Sequence, residues 1–112
     1  MLNRTKDILN AGGVAIGPQL RLATPSIVEM FAKSGCCDFI IIDGEHAPQT
    51  PTGVQAQLQA MSCSTVTPIA RIPKADPDII RIYLDMGAPA IFAPFINTAE
   101  IARLGANSMR YP

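Results

Sequence analysis

The chain has 112 residues, enough for one domain or part of one, and 48% of them are hydrophobic while 16% are charged, a composition typical of a folded protein. Nine basic residues balance nine acidic ones, which excludes the strongly basic surface of proteins that bind nucleic acid or anionic membranes. No apolar segment reaches the roughly 20 residues that span a bilayer, and the N-terminus lacks the apolar core of a signal peptide. The sequence therefore predicts a cytoplasmic protein that binds a small molecule and neither nucleic acid nor membrane.

In chain order, the first predicted element is a short helix at residues 5–9. Apolar runs of strand length then recur at a regular interval, at Val14–Leu20, Phe39–Asp43, Thr67–Ile72 and Ala90–Phe95. Each run is continuously apolar rather than alternating, which is typical of a strand that is covered on both faces.

A helix is predicted after each strand, because three capping residues each precede a proline: Thr24-Pro25, Thr50-Pro51 and Asp76-Pro77. We expect the helix after Pro25 to end at Gly35 and the helix after Pro77 to end at Gly87. A further helix begins at Asn97 or Thr98 and continues through Leu104.

The chain contains three cysteines, namely Cys36, Cys37 and Cys63. Their odd number and the adjacent pair fit neither a disulfide framework nor a CxxC metal site. We therefore expect buried, reduced thiols.

Repeated βα units predict an α/β fold, either an open doubly wound sheet or a barrel, and neither composition nor spacing chooses between them. Four units are half of the eight that close a (β/α)8 barrel of about 250 residues. Because the chain stops abruptly at Arg110-Tyr111-Pro112, we expect the polypeptide to be incomplete.

Polar residues collect where the predicted strands end, which is where parallel α/β folds bind their ligands. The second predicted strand ends at Asp43 and is followed by Glu45 and His46. The third has Arg71 near its end, and the first has Gln19 near its end and Arg21 directly after it. Arg21 itself is interpreted as a surface charge.

Asp43 and His46 are three residues apart, so the carboxylate can accept a hydrogen bond from one ring nitrogen and raise the basicity of the other. This spacing indicates a general base. The alternative is that Asp43 caps a turn and His46, the only histidine, is a surface residue.

Arg71 is a permanent cation among apolar neighbours, so it requires a planar anionic partner. That partner is either a ligand carboxylate or an internal one, from Asp43, Glu45 or Asp85. Glu45 itself would bind a metal, hydrogen-bond to a metal-bound water or simply be solvated. Asp85 is unfavourably placed near a helix C-terminus, and it is either retained for a function or solvated.

Four strings carry a family resemblance: IIDGEHAP, PIARIP, LDMGAPAIFAPFI and MRYP. With these strings the sequence resembles the class II pyruvate aldolases of the HpcH/HpaI group, over essentially all 112 residues. The resemblance implies a (β/α)8 TIM barrel, of which residues 1–112 are the N-terminal half of a single aldolase domain. It also implies cleavage of 4-hydroxy-2-oxo acids to pyruvate and an aldehyde, with Mg²⁺ or Mn²⁺ as the cofactor.

Site roles follow from the same resemblance. His46 with Asp43 is expected to be the base that acts on the 4-hydroxyl of the substrate through water. Arg71 is expected to bind the pyruvate carboxylate or keto oxygen and to stabilise the enolate. Gln19 is expected to affect substrate fit, at a place where relatives often carry an aromatic residue.

The remaining expectations concern the metal and the assembly. Glu45 is expected beside the site, near the metal's waters, while the two acidic metal ligands of the family follow the RYP string and are expected beyond residue 112. Asp85 resembles a position that contributes across a subunit interface, in a homo-oligomer. Two alternatives to this aldolase are a non-catalytic half-barrel that associates with itself and a related lyase or mutase of oxo acids.

Overall fold

The computed structural model describes residues 3–110, so Tyr111 and Pro112 of the RYP string lie outside the described residues. Its elements are α1 (Arg4–Asn10), β1 (Gln19–Leu20), α2 (Pro25–Ser34), β2 (Phe39–Asp43), α3 (Pro51–Ala60), β3 (Thr67–Arg71), α4 (Pro77–Asp85), β4 (Ile91–Phe92) and α5 (Ala99–Ser108). The strands form one parallel sheet in the order β1-β2-β3-β4, which confirms the α/β prediction. None of the helices within residues 3–110 has both the length and the hydropathy of a membrane-spanning segment.

The two faces of the sheet differ in burial. Ile40 and Ile42 of β2 and Ala70 of β3 are fully buried, and they belong to the same core as apolar side chains of α2, α3 and α4. On the opposite face, Ile41 and its register partner Ile69 remain only partly buried. The helices α2, α3 and α4 cover only the first of these faces, while α1 reaches the other at Thr67, whose Oγ1 atom accepts from the Thr5 N–H at 3.1 Å. The prediction that the strands are covered on both faces is therefore wrong at Ile41 and Ile69.

The first strand is shorter than the predicted run Val14–Leu20, since only Gln19–Leu20 pairs as a strand. Pro18, just before it, has no N–H to donate to a neighbouring strand. The preceding segment still follows β2 through single contacts, because the Ile16 carbonyl accepts a hydrogen bond from the Asp38 N–H at 2.7 Å. The Pro18 carbonyl likewise accepts from Ile41 at 2.9 Å.

The fourth strand is also shorter than predicted, at Ile91–Phe92 rather than Ala90–Phe95. Pro94 cannot donate to a ladder, and Phe95 has a φ of 57°, in the left-handed region that strands do not use. The third strand ends at Arg71, one residue before the predicted Ile72.

The predicted helix starts at Pro25, Pro51 and Pro77 are confirmed, although the Thr24 side chain makes no capping hydrogen bond. The Thr50 hydroxyl accepts from the Gly53 N–H at 3.2 Å, and the Asp76 carboxylate accepts from Asp78 at 3.0 Å. Thr98 caps α5, which continues to Ser108 and so extends past the predicted Leu104. Side-chain capping satisfies N–H groups that have no partner inside the helix.

Glycine ends two helices as predicted. Gly35 has a φ of 73° at the end of α2, and Gly87 has a φ of 92° just beyond Met86, the C-cap of α4. These left-handed conformations carry little steric cost without a Cβ atom.

All three cysteines are free, as predicted, but only Cys37 is buried. Burial raises the pKa of the Cys37 thiol, with a smaller contribution from the adjacent Cys36. The prediction of burial is wrong for Cys36 and Cys63, which lie in loops that are exposed to solvent.

Candidate active site at the carboxyl edge of the sheet

Asp43 and Arg71 are register partners at the carboxyl ends of β2 and β3. Because partners in a parallel ladder project from the same face, the Arg71 Nη1 atom lies 3.5 Å from the Asp43 Oδ2 atom. Gln19 projects from this face too, since it pairs with Ile41, and its Nε2 atom donates to Asp43 Oδ2 at 2.7 Å. The fold thus brings together three of the predicted site residues.

The Asp43 carboxylate is fully buried and is surrounded by donors. Its Oδ1 atom accepts from the backbone N–H groups of Glu45 at 3.0 Å and His46 at 2.9 Å. Its Oδ2 atom accepts from Gln19 and lies 3.4 Å from the Arg21 Nε atom. Burial acts to raise the pKa of Asp43, but the N–H of His46, the Gln19 amide, the N–H of Glu45 and the Arg71 charge together lower it. Asp43 is therefore an ionised group that caps the turn after β2.

The His46 ring does not make the predicted contact with Asp43, which bonds to the backbone of His46 instead. Both Asp43 oxygens are occupied by other donors, and the His46 side chain points outward with 49% of its surface exposed. Its Nε2 atom lies 3.6 Å from Glu45 Oε2, which is close for an ion pair but long for a hydrogen bond. Glu45, rather than Asp43, is thus the carboxylate beside the imidazole.

Arg71 is held between two carboxylates and an aromatic ring. Its Nη2 atom lies 2.5 Å from Glu45 Oε2, and its guanidinium carbon lies 5.7 Å from the centroid of Phe92. The side chains of Arg71 and Glu45 are only 16% and 8% exposed. Internal ion pairing, which the sequence left open, is therefore present with both Asp43 and Glu45.

Two buried polar atoms at this centre lack a hydrogen bond among residues 3–110. They are Arg71 Nε and Glu45 Oε2; the latter is close to Nη2 of Arg71, but the pair does not have hydrogen-bond geometry. An unpaired buried donor or acceptor carries a desolvation cost, so a ligand that pairs with either atom gains correspondingly.

Arg21 belongs to the site although we interpreted it as a surface charge. Its side chain is 65% exposed, yet its Nε atom reaches Asp43. The available signal was position, because Arg21 directly follows β1 and so stands at the carboxyl edge. No pattern in the sequence pointed to Gln49, whose Nε2 atom donates to the Asp43 carbonyl at 2.8 Å.

The structure does not bring Asp85 to this edge. Asp85 is the exposed last residue of α4, and a helix that follows a parallel strand returns toward the amino ends of the strands. A cavity of about 210 Å³ also lies toward that opposite end, against Val66 just before β3 and Gly87 just after α4. Neither feature contributes to the Asp43–Arg71 centre.

Metal binding requires oxygen or nitrogen ligands that converge on one point. Within residues 3–110, no group of three or more His, Cys, Asp or Glu side chains could hold a metal ion. Asp43 is fully engaged by donors, and Glu45 lies against the Arg71 cation. The described residues therefore do not form a metal site by themselves, and the expectation of ligands beyond residue 112 stays a prediction.

Comparison with known proteins agrees with this geometry. The family model of the HpcH/HpaI aldolase/citrate lyase family matches residues 17–112. A hydroxypyruvate/pyruvate aldolase of Deinococcus radiodurans is 40% identical over 110 residues, which are 98% of this chain and 39% of the relative. A 4-hydroxy-2-oxo-heptane-1,7-dioate aldolase of Klebsiella pneumoniae is 40% identical over 112 residues, which are 100% of this chain and 42% of the relative.

The fold comparison leads to the same group. A crystal structure of a family protein from Burkholderia cenocepacia superposes with a TM-score of 0.89 at 31% identity, over 99% of this chain and 44% of the other. The chain thus spans about two fifths of the length of the curated relatives that it matches. Its sheet corresponds to part of a TIM-barrel type fold, as predicted. Sequence and fold together establish that the chain belongs to the HpcH/HpaI aldolase/citrate lyase family.

Proposed function

We propose that this chain supplies the base and the carboxylate-binding residues of an aldolase that cleaves 4-hydroxy-2-oxo acids to pyruvate and an aldehyde. The Klebsiella relative is named as an aldolase of such an acid, and the Deinococcus relative is named as a hydroxypyruvate/pyruvate aldolase. The observation that carries the proposal is the Asp43–Arg71 pair at the carboxyl edge, with the exposed ring of His46 beside it. A cation and a titratable ring on one edge suit an anionic substrate that must lose a proton.

Arg71 would bind the pyruvate part of the substrate. Its guanidinium is fixed by Asp43, Glu45 and the Phe92 ring, so little conformational entropy is lost when an oxygen atom accepts from it. The Nε–H has no partner among residues 3–110, and the two Nη groups carry further N–H donors for a carboxylate or an enolate oxygen. Arg21 adds a second positive charge at the same edge.

His46 would act as the base. The ring accepts the proton of the 4-hydroxyl, directly or through water, and the C3–C4 bond breaks to release the aldehyde. The bonding electrons form the enolate of pyruvate beside Arg71, and return of the proton from the His46 ring to C3, directly or through water, completes pyruvate and restores the base. Glu45 would stabilise the protonated ring, because its Oε2 atom lies 3.6 Å from His46 Nε2.

A divalent metal remains part of this proposal through the family resemblance alone. Mg²⁺ or Mn²⁺ would supply Lewis-acid polarisation of the 2-oxo group, with ligands from outside the described residues. None of the roles given to Arg71, Glu45 and His46 depends on it. The homo-oligomeric state and the cytoplasmic location stay predictions.

The catalytic part is tested by pyruvate release. The chain is incubated with a panel of 4-hydroxy-2-oxo acids, with and without Mn²⁺, and pyruvate is measured with a coupled dehydrogenase. Release that His46→Ala abolishes supports the proposal, whereas release that His46→Ala leaves unchanged contradicts the assignment of the base. Products other than pyruvate would instead favour a related oxo-acid lyase.

A second candidate is a half-barrel that associates with itself. It is favoured by apolar side chains next to both edge strands: Val14 and Ile16 before β1 are 80% and 67% exposed, and Phe95 after β4 is 73% exposed. A twofold axis parallel to the strands would pair β1 of one copy with β4 of the other, in parallel. Light scattering across a range of concentrations decides, because a stable monomer contradicts this candidate.

A further inference from the structure

A chain of amide hydrogen bonds runs from α3 to the end of β2. Gln57 is fully buried on α3, and its Nε2 atom donates to the Gln49 Oε1 atom and to the Gly53 carbonyl. Gln49, in the loop before α3, donates through Nε2 to the Asp43 carbonyl at 2.8 Å. One buried helix residue is thereby linked to the backbone of the residue that organises the candidate active site.

The donor and acceptor directions in this chain are fixed by its two ends. The Asp43 carbonyl only accepts, so Gln49 must present its NH₂ group there and its oxygen toward Gln57. The Gly53 carbonyl also only accepts, so Gln57 must present its NH₂ group to both partners. The amide orientations are therefore determined by the network itself.

Packing alone does not account for an amide at position 57. Its helix neighbours Val54 and Leu58 are buried apolar residues, and the Gln57 Oε1 atom has no hydrogen-bond partner among residues 3–110. A buried polar atom without a partner is unfavourable, so an apolar side chain of similar size would suit the core better. What the amide adds is its two donated hydrogen bonds, one of which fixes the orientation of the Gln49 side chain.

The turn that follows β2 has a second anchor on the other side. The Gly44 N–H donates to the Arg71 carbonyl at 2.9 Å. A Cβ atom at Gly44 would lie 2.6 Å from that carbonyl oxygen and 2.9 Å from the Tyr83 hydroxyl, so the backbone approaches β3 closely. The amide chain and this contact hold residues 43–46 from opposite sides.

We propose that Gln57 and Gln49 are positioning residues, which hold the turn of residues 43–46 so that Glu45 and His46 face the substrate edge. The consequence for substrate binding rests on the proposed function. The geometric part does not, since it concerns only the turn itself. The positioning role predicts that breaking the amide chain loosens the turn of residues 43–46 more than it loosens β2.

The test compares Gln57→Met with Gln55→Met, a matched change at an exposed position of the same helix. Amide hydrogen exchange of Glu45 and His46 is followed by NMR, together with the ring signal of His46, which is the only histidine. We expect exchange at both amides to become about fivefold to tenfold faster in Gln57→Met and the ring signal to shift. Gln55→Met should resemble the wild type.

Gln49→Ala is a second variant, in a loop, that removes the same link with less effect on the core. If Gln57→Met folds poorly, Gln49→Ala still tests the link, and it should loosen the turn of residues 43–46 in the same way. The proposal is overturned if both variants lower the melting temperature yet leave the exchange of Glu45 and His46 and the ring signal as in the wild type, since that would be a purely structural role.

A pyruvate titration of the same samples separates this inference from the proposed function. We expect Gln57→Met and Gln49→Ala to weaken pyruvate binding about fivefold or more, if the turn presents the site as proposed. If the wild type binds no pyruvate, the proposed function fails while the exchange data still decide the positioning role.

Discussion

The backbone N–H of His46 donates to Asp43 Oδ1 across 2.9 Å, while the imidazole ring of His46 turns away from Asp43 and toward Glu45. Asp43 and His46 therefore cooperate through the main chain and not through the ring. Asp43 caps the turn by accepting from the N–H groups of Glu45 and His46, and Glu45 is the carboxylate next to the ring.

Asp43 should make the protein sensitive to acid. Its pKa is lowered in the folded state, so its contribution to the free energy of unfolding is present above the ordinary pKa of about 3.9 and is lost as the pH falls through the folded-state pKa. We expect Asp43→Asn to cost about 3 kcal/mol at neutral pH and to flatten the stability profile at acid pH.

Urea titrations from pH 2 to 7 measure both effects. Asp78→Asn is the control, because Asp78 is an exposed carboxylate on α4. An equally steep acid loss in Asp43→Asn and in the wild type would contradict the central place given to Asp43.

Arg71 should be irreplaceable by lysine. The guanidinium spans Asp43 and Glu45, whose side chains are 0% and 8% exposed, and a single ammonium cannot contact both in the same way. We expect Arg71→Lys to lower the free energy of unfolding by about 2 kcal/mol, whereas Arg81→Lys, at an exposed position, should change it little. Equal stabilities of the two variants in chemical denaturation would refute the ion-pair account.

Gly17 should be required for the pairing of the first strand with the second. A Cβ atom at this position would lie 2.0 Å from the Phe39 carbonyl oxygen, which no real side chain tolerates. We expect Gly17→Ala to destabilise the fold by about 3 kcal/mol. Gly105→Ala is the matched control, because the new methyl group in α5 meets open space and should stabilise the helix by about 0.5–1 kcal/mol. Thermal melts that rank the two variants in the opposite order would show that the packing at Gly17 is misassigned.

His46 should matter for chemistry and not for stability. Its ring is 49% exposed and makes no hydrogen bond among residues 3–110, so His46→Ala should change the free energy of unfolding by less than about 0.5 kcal/mol. Under the proposed function, any pyruvate release should fall by about 100-fold or more. A melting curve and a release assay on one preparation check both parts, and a large loss of stability would assign His46 to the fold instead.

The sequence predicted the order of elements well, because that order depends on local signals. The prolines after Thr24, Thr50 and Asp76 mark helix starts, and Gly35 marks a helix end, whatever the surroundings. Strand length was less predictable. Apolar runs around Pro18 and Pro94 resemble longer strands, yet pairing at an edge is limited by a missing N–H.

The site was predicted as a set of residues but not as a network. Strand ends brought Gln19, Asp43 and Arg71 together, as the rule for parallel sheets implies. The spacing of Asp43 and His46 could not decide between a ring contact and a turn cap, because both satisfy a separation of three residues. Gln49 and Gln57 gave no signal, since an amide on a helix face is ordinarily read as solvated.

The central claim is that the edge formed by Arg71 binds the carboxylate of a 2-oxo acid, and titration of the chain with pyruvate tests it most directly. The ring signal of His46 and the Nε–H signal of Arg71 are followed by NMR in the wild type, in Arg71→Lys and in the Arg81→Lys control. We expect saturable shifts in the wild type and in Arg81→Lys, with binding at least about tenfold weaker in Arg71→Lys. Absence of any shift, or equal binding in all three proteins, would contradict the account.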